Sequence, residues 1–190
     1  IMALPQREVK CGQELQFLTN HIGHFLLVTG LLPQLTEQAR VVILSSSAHN
    51  GAPRAGIQFD DITLQHNYSP WRAYGQSKLA NLLFARALAR RFAGTARTAN
   101  AVHPGVIATN LMRHMNVVAR ASLYVAEKVA LKSIPQGAAT QCYVAVHPAT
   151  AAVSGEFFAD CNVARSSAAG SDQALAERLW TFSEELVAKL

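Results

Sequence analysis

Tyr74 and Lys78 stand four residues apart in the sequence Tyr-Gly-Gln-Ser-Lys, and their types suit acid–base chemistry. Apolar residues recur at helical spacing from residue 71 to residue 91, which predicts an amphipathic helix. Because residues four apart share one face of a helix, the phenol and the ammonium would lie side by side. A nearby positive charge lowers the pKa of a phenol from about 10 toward the neutral range, where it can exchange protons with a substrate. The pair alone is common by chance, so the rest of the chain must support it.

Strands and helices are predicted to alternate along the chain. Strands are predicted at residues 40–44, 98–102 and 155–159, with the end of another at 1–5, and helices at 11–32, 71–91, 112–132, 135–146 and 172–190. The first helix is apolar on more than one face, so we expect it to be buried. This alternation predicts an α/β fold with a parallel sheet, and the chain shows no repeat or linker that would divide it.

Polar residues follow two of these strands. Ser45, Ser46 and Ser47 come directly after the strand at 40–44, and residues 103–109 follow the strand at 98–102. Parallel sheets bind ligands at the carboxyl ends of their strands, so we expect the chemistry at these two places.

Composition narrows the class of protein. Half of the 190 residues are apolar and 15% are charged, which fits a folded globular chain and argues against disorder. The net charge is +5, but no aromatic residues alternate with the basic ones, so nucleic-acid binding is not expected. The arginines near the end of the 71–91 helix suit a solvated face. We find no apolar run long enough to span a bilayer and no signal peptide at the start.

The three cysteines are odd in number, far apart and without metal-ligand spacing. Reduced thiols in a cytoplasmic protein are therefore expected. The histidines His21, His24, His103 and His147 suit packing or structural roles, and no metal site is expected from them.

Four motifs in order resemble the short-chain dehydrogenase/reductase family. They are the Asn20 segment NHIGHFLL, the Ser46 segment RVVILSSSAH, the Tyr74/Lys78 segment AYGQSKLANLLFARALARR and the segment NAVHPGVIATNL. The amino-acid sequence of these motifs is most similar to the retinol-dehydrogenase-like and WW-domain-oxidoreductase-like branch of the family. The resemblance implies a Rossmann-like, doubly wound parallel sheet.

The resemblance also implies a catalytic group of four residues. Tyr74 would exchange a proton with an alcohol or carbonyl while hydride moves to or from nicotinamide. Lys78 would lower the pKa of Tyr74 and hold the nicotinamide ribose. Ser46 would hydrogen-bond the reacting oxygen, with Ser45 and Ser47 as plain strand-end serines. Asn20 would hold a water that relays protons to Lys78.

A cofactor loop follows from the same resemblance. NAD or NADP would be held by Tyr74, Lys78, Pro104, Gly105, Val106, Ile107 and Thr109, and the phosphate preference stays open. The apolar residues at 111–118 fall where the family has a substrate lid, which suggests a fairly apolar small molecule. An ordinary amphipathic helix explains that stretch equally well.

One departure from the family pattern is large. The sequence has no glycine-rich turn of the kind that receives a dinucleotide pyrophosphate, and residues 51–56 (GAPRAG) have the wrong spacing. We therefore expect residues 1–190 to be the later, N-terminally truncated part of one domain. Such a chain would expose an unpaired sheet edge and would be inactive alone.

Two other functions stay open from the sequence. One is a non-catalytic scaffold or interaction protein that keeps the second part of the fold. The other is hydrolysis with Ser46 or Ser77 as nucleophile and Lys78 as base, although the sequence lacks a Gly-x-Ser-x-Gly elbow. A homo-oligomer built on the helices at 11–32 and 71–91 is a family-level expectation.

Overall fold

The structure is a computed structural model that describes residues 1–107 and 131–190. Two short strands, β1 (Val9–Lys10) and β2 (Gln13–Glu14), form an antiparallel hairpin. The main sheet has the order β3 (Arg40–Leu44), β4 (Thr98–His103), β5 (Phe157–Ala159) and β6 (Asn162–Val163). Strands β3, β4 and β5 are parallel, and β6 returns antiparallel beside β5.

Four helical segments accompany the strands in the described residues. The first, α1, covers residues 15–31 and joins Leu15–Phe17, a π-helical turn at Leu18–Ile22 and the regular helix Gly23–Leu31. The others are α2 (Pro70–Arg91), α3 (Ile134–Val146) and α4 (Gln173–Val187). Short 3-10 turns lie at Leu32–Gln34, Ser47–Gly51, Phe59–Asp61, Pro148–Thr150 and Ala169–Ser171. None of the described helices is both long and apolar enough to cross a membrane.

Helices cover both faces of the main sheet. Successive strand residues point to opposite faces, so Ile43 and Ala101 lie on one face, in the larger core that contains α2. Val102 and Phe158 lie on the other face, where they pack with Val144 of α3. This arrangement confirms the predicted Rossmann-like, doubly wound α/β fold.

The first helix differs from its prediction in both bounds and burial. It begins at Leu15 and not at residue 11, because Cys11 and Gly12 take positive φ angles of 51° and 71° in the turn of the β1–β2 hairpin. The Glu14 carboxylate accepts the Phe17 N–H at 2.8 Å and caps the new start. Residues 1–5 form no strand.

The prediction that this helix is buried all round was wrong. Phe25 is buried, whereas Leu26, Leu27 and Leu31 are 50%, 59% and 46% exposed. The apolar pattern on several faces therefore did not report full burial. Only one face of the helix meets the core in the described part of the chain.

Among the described helices, α2 has the largest number of buried residues, because it packs between the sheet and α4. Proline at its start suits a first helical position, and every residue from 73 to 85 is buried. Trp180 of α4 packs at 5.0 Å from the Phe25 ring and 5.7 Å from the Phe84 ring, measured between centroids. Helix α4 thus covers one face of α2, and the homo-oligomer stays a prediction.

The arginines of α2 do not form the solvated face that the sequence suggested. Arg90 and Arg91 both pair with Glu177 of α4, at 2.8 and 2.9 Å. The Arg86 side chain reaches the other way and donates to the Gly155 carbonyl oxygen at 3.1 Å. These arginines fasten α2 to the C-terminal part of the chain.

Candidate active site

A cavity of about 660 Å³ opens where β3 and β4 end. Its wall contains the predicted residues Asn20, Ser46, Tyr74, Lys78, Pro104, Gly105, Val106 and Ile107. The carboxyl ends of parallel strands are where such folds bind ligands. The structure therefore brings together all the predicted site residues that it describes. Thr109 and the predicted lid at 111–118 lie outside the described residues, as does most of the predicted helix at 112–132.

Tyr74 projects from the second turn of α2 and is 6% exposed. Burial raises the pKa of its phenol, and a hydrogen bond with the Ser46 side chain acts in the opposite direction. The Lys78 Nζ lies 5.6 Å from the centre of the tyrosine ring. The pKa of Tyr74 therefore lies above its ordinary value, and the expected lowering of that pKa by Lys78 stays a prediction.

Lys78 is itself buried beneath the end of β3. It is 7% exposed, and its Nζ donates to the Leu44 carbonyl oxygen at 3.3 Å. Burial lowers the Lys78 pKa to about 8. An ammonium has three donors, so Lys78 can bond further to a ligand in the cavity.

The serines after β3 have different partners. The Ser45 hydroxyl is buried and donates to the Lys78 carbonyl oxygen at 2.7 Å, which ties β3 to α2. The Ser46 Oγ accepts the Ala48 N–H at 3.2 Å at the start of the following 3-10 turn. The Ser46 side chain also hydrogen-bonds with Tyr74, whereas the Ser45 hydroxyl joins β3 to α2.

Gly75 sets how closely α2 approaches that turn. A Cβ at this position would lie 2.8 Å from the Ala48 carbonyl oxygen and 2.9 Å from the Ala52 nitrogen. Backbone atoms leave no room for such an atom. The small residue after Tyr74 therefore allows the tyrosine and Ser46 to share one cavity wall.

Asn20 lies in the π-helical turn of α1 and is 4% exposed. Its Nδ2 donates to the Ser77 hydroxyl at 3.0 Å and to the Ile1 carbonyl oxygen at 2.8 Å. Ser77 in turn donates to the Tyr74 carbonyl oxygen at 2.8 Å. Asn20 thus steadies the backbone that carries Tyr74. Ser77 is fully buried, which removes it as the nucleophile of a hydrolase.

The loop after β4 lies across the cavity from Tyr74. Gly105 has a φ of 90°, a conformation that favours glycine, and a Cβ there would lie 2.6 Å from the Lys132 side chain. The Lys132 N–H donates to the Val106 carbonyl oxygen at 2.9 Å, and its ammonium pairs with Asp160. Ile107 packs on Gly137 of α3.

Sequence reasoning assigned no site role to several other residues that line the cavity, among them Trp71, His24 and His103. Trp71 lies one helical turn before Tyr74, and His24 lies one helical turn after Asn20. This spacing could have identified both residues. The ring of His24 bonds to the Asn20 backbone, and burial followed by the Lys78 charge lowers its pKa. His103 was expected to be structural, but its buried Nδ1 has no hydrogen-bond partner in residues 1–107 and 131–190. No pattern in the sequence indicates that this nitrogen lacks a partner among those residues.

Comparison with known proteins identifies relatives across the whole chain. The chain is 47% identical over its full length to short-chain dehydrogenase TIC 32 A of Brassica napus, a chloroplastic protein, and covers 62% of it. It is 37% identical over its full length to retinol dehydrogenase 14 of Homo sapiens and covers 57% of it. An uncharacterized protein from Mycobacterium paratuberculosis has a similar crystal structure. Its TM-score is 0.67 at 36% identity, over 99% of this chain and 64% of that one. No protein-family model matches the chain.

The chain thus spans about three fifths of the length of these curated relatives. The names of these relatives agree with the family that the four sequence motifs resemble, including its retinol-dehydrogenase-like branch. The parallel sheet and the cavity at the carboxyl ends of its strands agree with membership of that family. The chain belongs to the short-chain dehydrogenase/reductase family.

Proposed function

We propose that the protein containing this chain is an oxidoreductase that interconverts an alcohol and a carbonyl on a fairly apolar small molecule, using NAD or NADP. The observation that carries the proposal is the shared cavity wall of Ser46, Tyr74 and Lys78. A hydrogen-bonded hydroxyl beside a buried phenol is suited to proton exchange with a single substrate oxygen.

The described residues fit a nicotinamide dinucleotide. Tyr74, Lys78, Pro104, Gly105, Val106 and Ile107 line the cavity, and Thr109 would extend this set. The buried His103 Nδ1 leaves a polar atom in the same wall available to a ligand. When bound, the nicotinamide ring accepts or supplies the hydride. Lys78 would donate its free hydrogens to cofactor hydroxyls.

The protein's own part of the reaction is proton transfer and orientation. The Ser46 Oγ accepts the Ala48 N–H, which leaves the Ser46 hydroxyl hydrogen free for donation to a neighbouring oxygen. Tyr74 would give its phenolic proton to a carbonyl oxygen, or take one from an alcohol, at that same oxygen. Its raised pKa favours the protonated form, which suits the direction that reduces a carbonyl. Asn20 would hold the backbone of this helix and a relay water.

The substrate is proposed to be apolar because apolar side chains form much of the cavity wall. Leu44 and Val106 are 40% and 48% exposed at the cavity, and Trp71 is 51% exposed beside Tyr74. Exposed apolar side chains in a concave site favour an apolar ligand. Retinol dehydrogenase 14 is named for a substrate of this kind. A retinoid or another long apolar aldehyde is therefore the first substrate to test.

The test is turnover of retinal and of a long-chain aldehyde by the full-length protein, with NADPH and NADH compared in parallel. In Tyr74→Phe we expect kcat to fall by about 100- to 10,000-fold, because a positioned acid is lost. Tyr143→Phe is the control, since that phenol lies on α3 and outside the cavity. Full activity in Tyr74→Phe, or no activity with either nucleotide in the wild type, would contradict the proposal.

A further inference from the structure

His49 lies in the 3-10 turn that follows Ser46, and it contacts Ser46 through its side chain. Its ring Nδ1 is 2.7 Å from the Ser46 carbonyl oxygen, and its backbone N–H donates to the same oxygen at 3.1 Å. The residue is 1% exposed. A buried polar ring with a short bond to one particular backbone oxygen fixes that backbone in place.

The second nitrogen of the ring reveals which form of His49 is present. The Ser167 backbone N–H donates to His49 Nε2 at 3.1 Å, so Nε2 must be the acceptor. The proton of the neutral ring therefore lies on Nδ1, which donates it to Ser46. Burial also lowers the pKa of His49, in agreement with a neutral ring. His49 bridges the turn after β3 and the segment before α4, two places far apart in the chain.

A third contact orients the ring. Phe157 of β5 meets His49 edge to face, with centroids 4.9 Å apart. The ring is thus held by a neighbouring strand as well as by its two hydrogen bonds, and it has little freedom to turn. Ser46 lies three residues before this fixed point.

We infer that His49 is a positioning residue, which holds the Ser46 backbone so that the Ser46 hydroxyl faces the reacting oxygen. The inference rests on the proposed function, in which Ser46 bonds that oxygen. The route is short: His49 holds the Ser46 carbonyl oxygen, the turn then presents the Ala48 N–H to Ser46 Oγ, and the hydroxyl hydrogen is left for the cavity. Small displacements of a reacting group have large effects on rate.

Two substitutions separate the two ring bonds. In His49→Asn the side-chain amide nitrogen falls near the position of Nδ1 and can still donate to Ser46, but the bond from Ser167 is lost. In His49→Gln the amide group reaches the position of Nε2 and can accept from Ser167, but the bond to Ser46 is lost. The two variants are otherwise similar in size and polarity.

Kinetics of the full-length protein test the inference. We expect His49→Gln to lower kcat by up to about 100-fold with little change in the cofactor KM, and His49→Asn to keep most of the wild-type kcat. In a Ser46→Ala background, His49→Gln should have no further effect, because His49 acts through Ser46. Equal losses in the two variants, or additive losses in the double variant, would overturn the inference.

A measurement without turnover separates this inference from the proposed function. Two-bond ¹H–¹⁵N correlation spectra of ¹⁵N-histidine-labelled protein at pH 7 report which ring nitrogen carries the proton, and we expect Nδ1 for His49. An Nε2 proton in an active enzyme overturns the role of His49 alone. If the proton is on Nδ1 as expected but the wild type is inactive with both nucleotides, the proposed function is overturned. The catalytic role inferred for His49 is then overturned as well.

Discussion

At the scale of single residues, burial acts on Tyr74 and Lys78 in opposite directions. It raises the pKa of the phenol and lowers that of the ammonium to about 8. Both shifts favour the uncharged forms. The presence of a tyrosine–lysine pair was predictable from its spacing on a helix. The direction of the tyrosine shift was not, because it depends on how deeply β3 and α1 cover the pair.

The lowered pKa of Lys78 predicts how cofactor binding depends on pH. The ammonium form predominates below about pH 8 and is lost as the pH rises through that value. If Lys78 donates to cofactor hydroxyls through its ammonium, the cofactor KM of the full-length protein should rise above pH 8. Lys78→Arg should move that rise to higher pH, because the guanidinium stays charged. An unchanged KM from pH 7 to pH 9 in the wild type would contradict this role.

His21 predicts acid sensitivity of the fold. It is fully buried between Asn81 and Ser183, and burial lowers its pKa to about 3. Between pH 6.5 and 3 the unfolded chain binds a proton that the folded chain does not, so stability is lost as the pH falls through this window. The loss is on the order of 1 kcal/mol for each pH unit below 6.5.

Urea unfolding at pH 7, 6 and 5 measures this effect. The wild type should lose stability between pH 6.5 and 5, whereas His21→Gln should start less stable and lose less over the same interval. His66 is exposed, so His66→Gln is the matched control and should follow the wild type. Identical pH slopes in wild type and His21→Gln would count against the assignment.

At the scale of elements, α4 contributes Ala176, Leu179 and Trp180 to the larger core, and Trp180 is the bulkiest of them. Trp180 is 6% exposed and packs on Phe25 and Phe84. Trp180→Ala should therefore lower the free energy of unfolding by about 3–5 kcal/mol. Trp71→Ala is a control with the same chemistry, because Trp71 is 51% exposed, and it should cost far less. Thermal or urea unfolding of the two variants tests the difference, and similar costs would show that α4 does not complete the core.

Helix α3 contacts the loop after β4, which is proposed to hold the cofactor, through Gly137. A Cβ at Gly137 would overlap the Ile107 side chain, so Gly137→Ala must displace this part of the cavity wall. We expect a several-fold higher cofactor KM with only a small change in melting temperature. In Gly30→Ala the new Cβ meets nothing within 4 Å, so this control should keep its KM and gain up to about 1 kcal/mol from helix propensity. An unchanged KM in Gly137→Ala would show that Ile107 has no part in cofactor binding.

The elements differ in how far the sequence predicted them. The strand Arg40–Leu44 and the helix Pro70–Arg91 follow from continuous apolar and helical patterns, and their bounds were almost correct. The hairpin at residues 9–14 was missed, because two-residue strands leave no alternation to detect. The partners of Arg86, Arg90 and Arg91 were also missed. Those partners lie more than 60 residues further along the chain, where only the fold brings them near.

At the scale of the whole molecule, the described sheet leaves β3 with a neighbour on one side only. Val41 and Val42 of this strand are only half-buried. An unpaired, apolar strand edge favours association with further chain. The sequence also lacks the glycine-rich turn that receives a pyrophosphate in dinucleotide-binding folds. The residues proposed to contact the nicotinamide thus lie in a sequence without the motif that would hold the pyrophosphate.

These two features predict that residues 1–190 alone bind the cofactor weakly. In a titration followed by nicotinamide fluorescence, this polypeptide should show no saturation with NADH or NADPH at concentrations that saturate the full-length protein. It should also self-associate as its concentration rises, because β3 remains open to another strand. Analytical ultracentrifugation measures that second effect independently of any ligand. If the isolated chain binds and turns over with Tyr74-dependent activity, the nicotinamide end of the site alone supplies enough binding energy. The glycine-rich turn would then be dispensable for this protein.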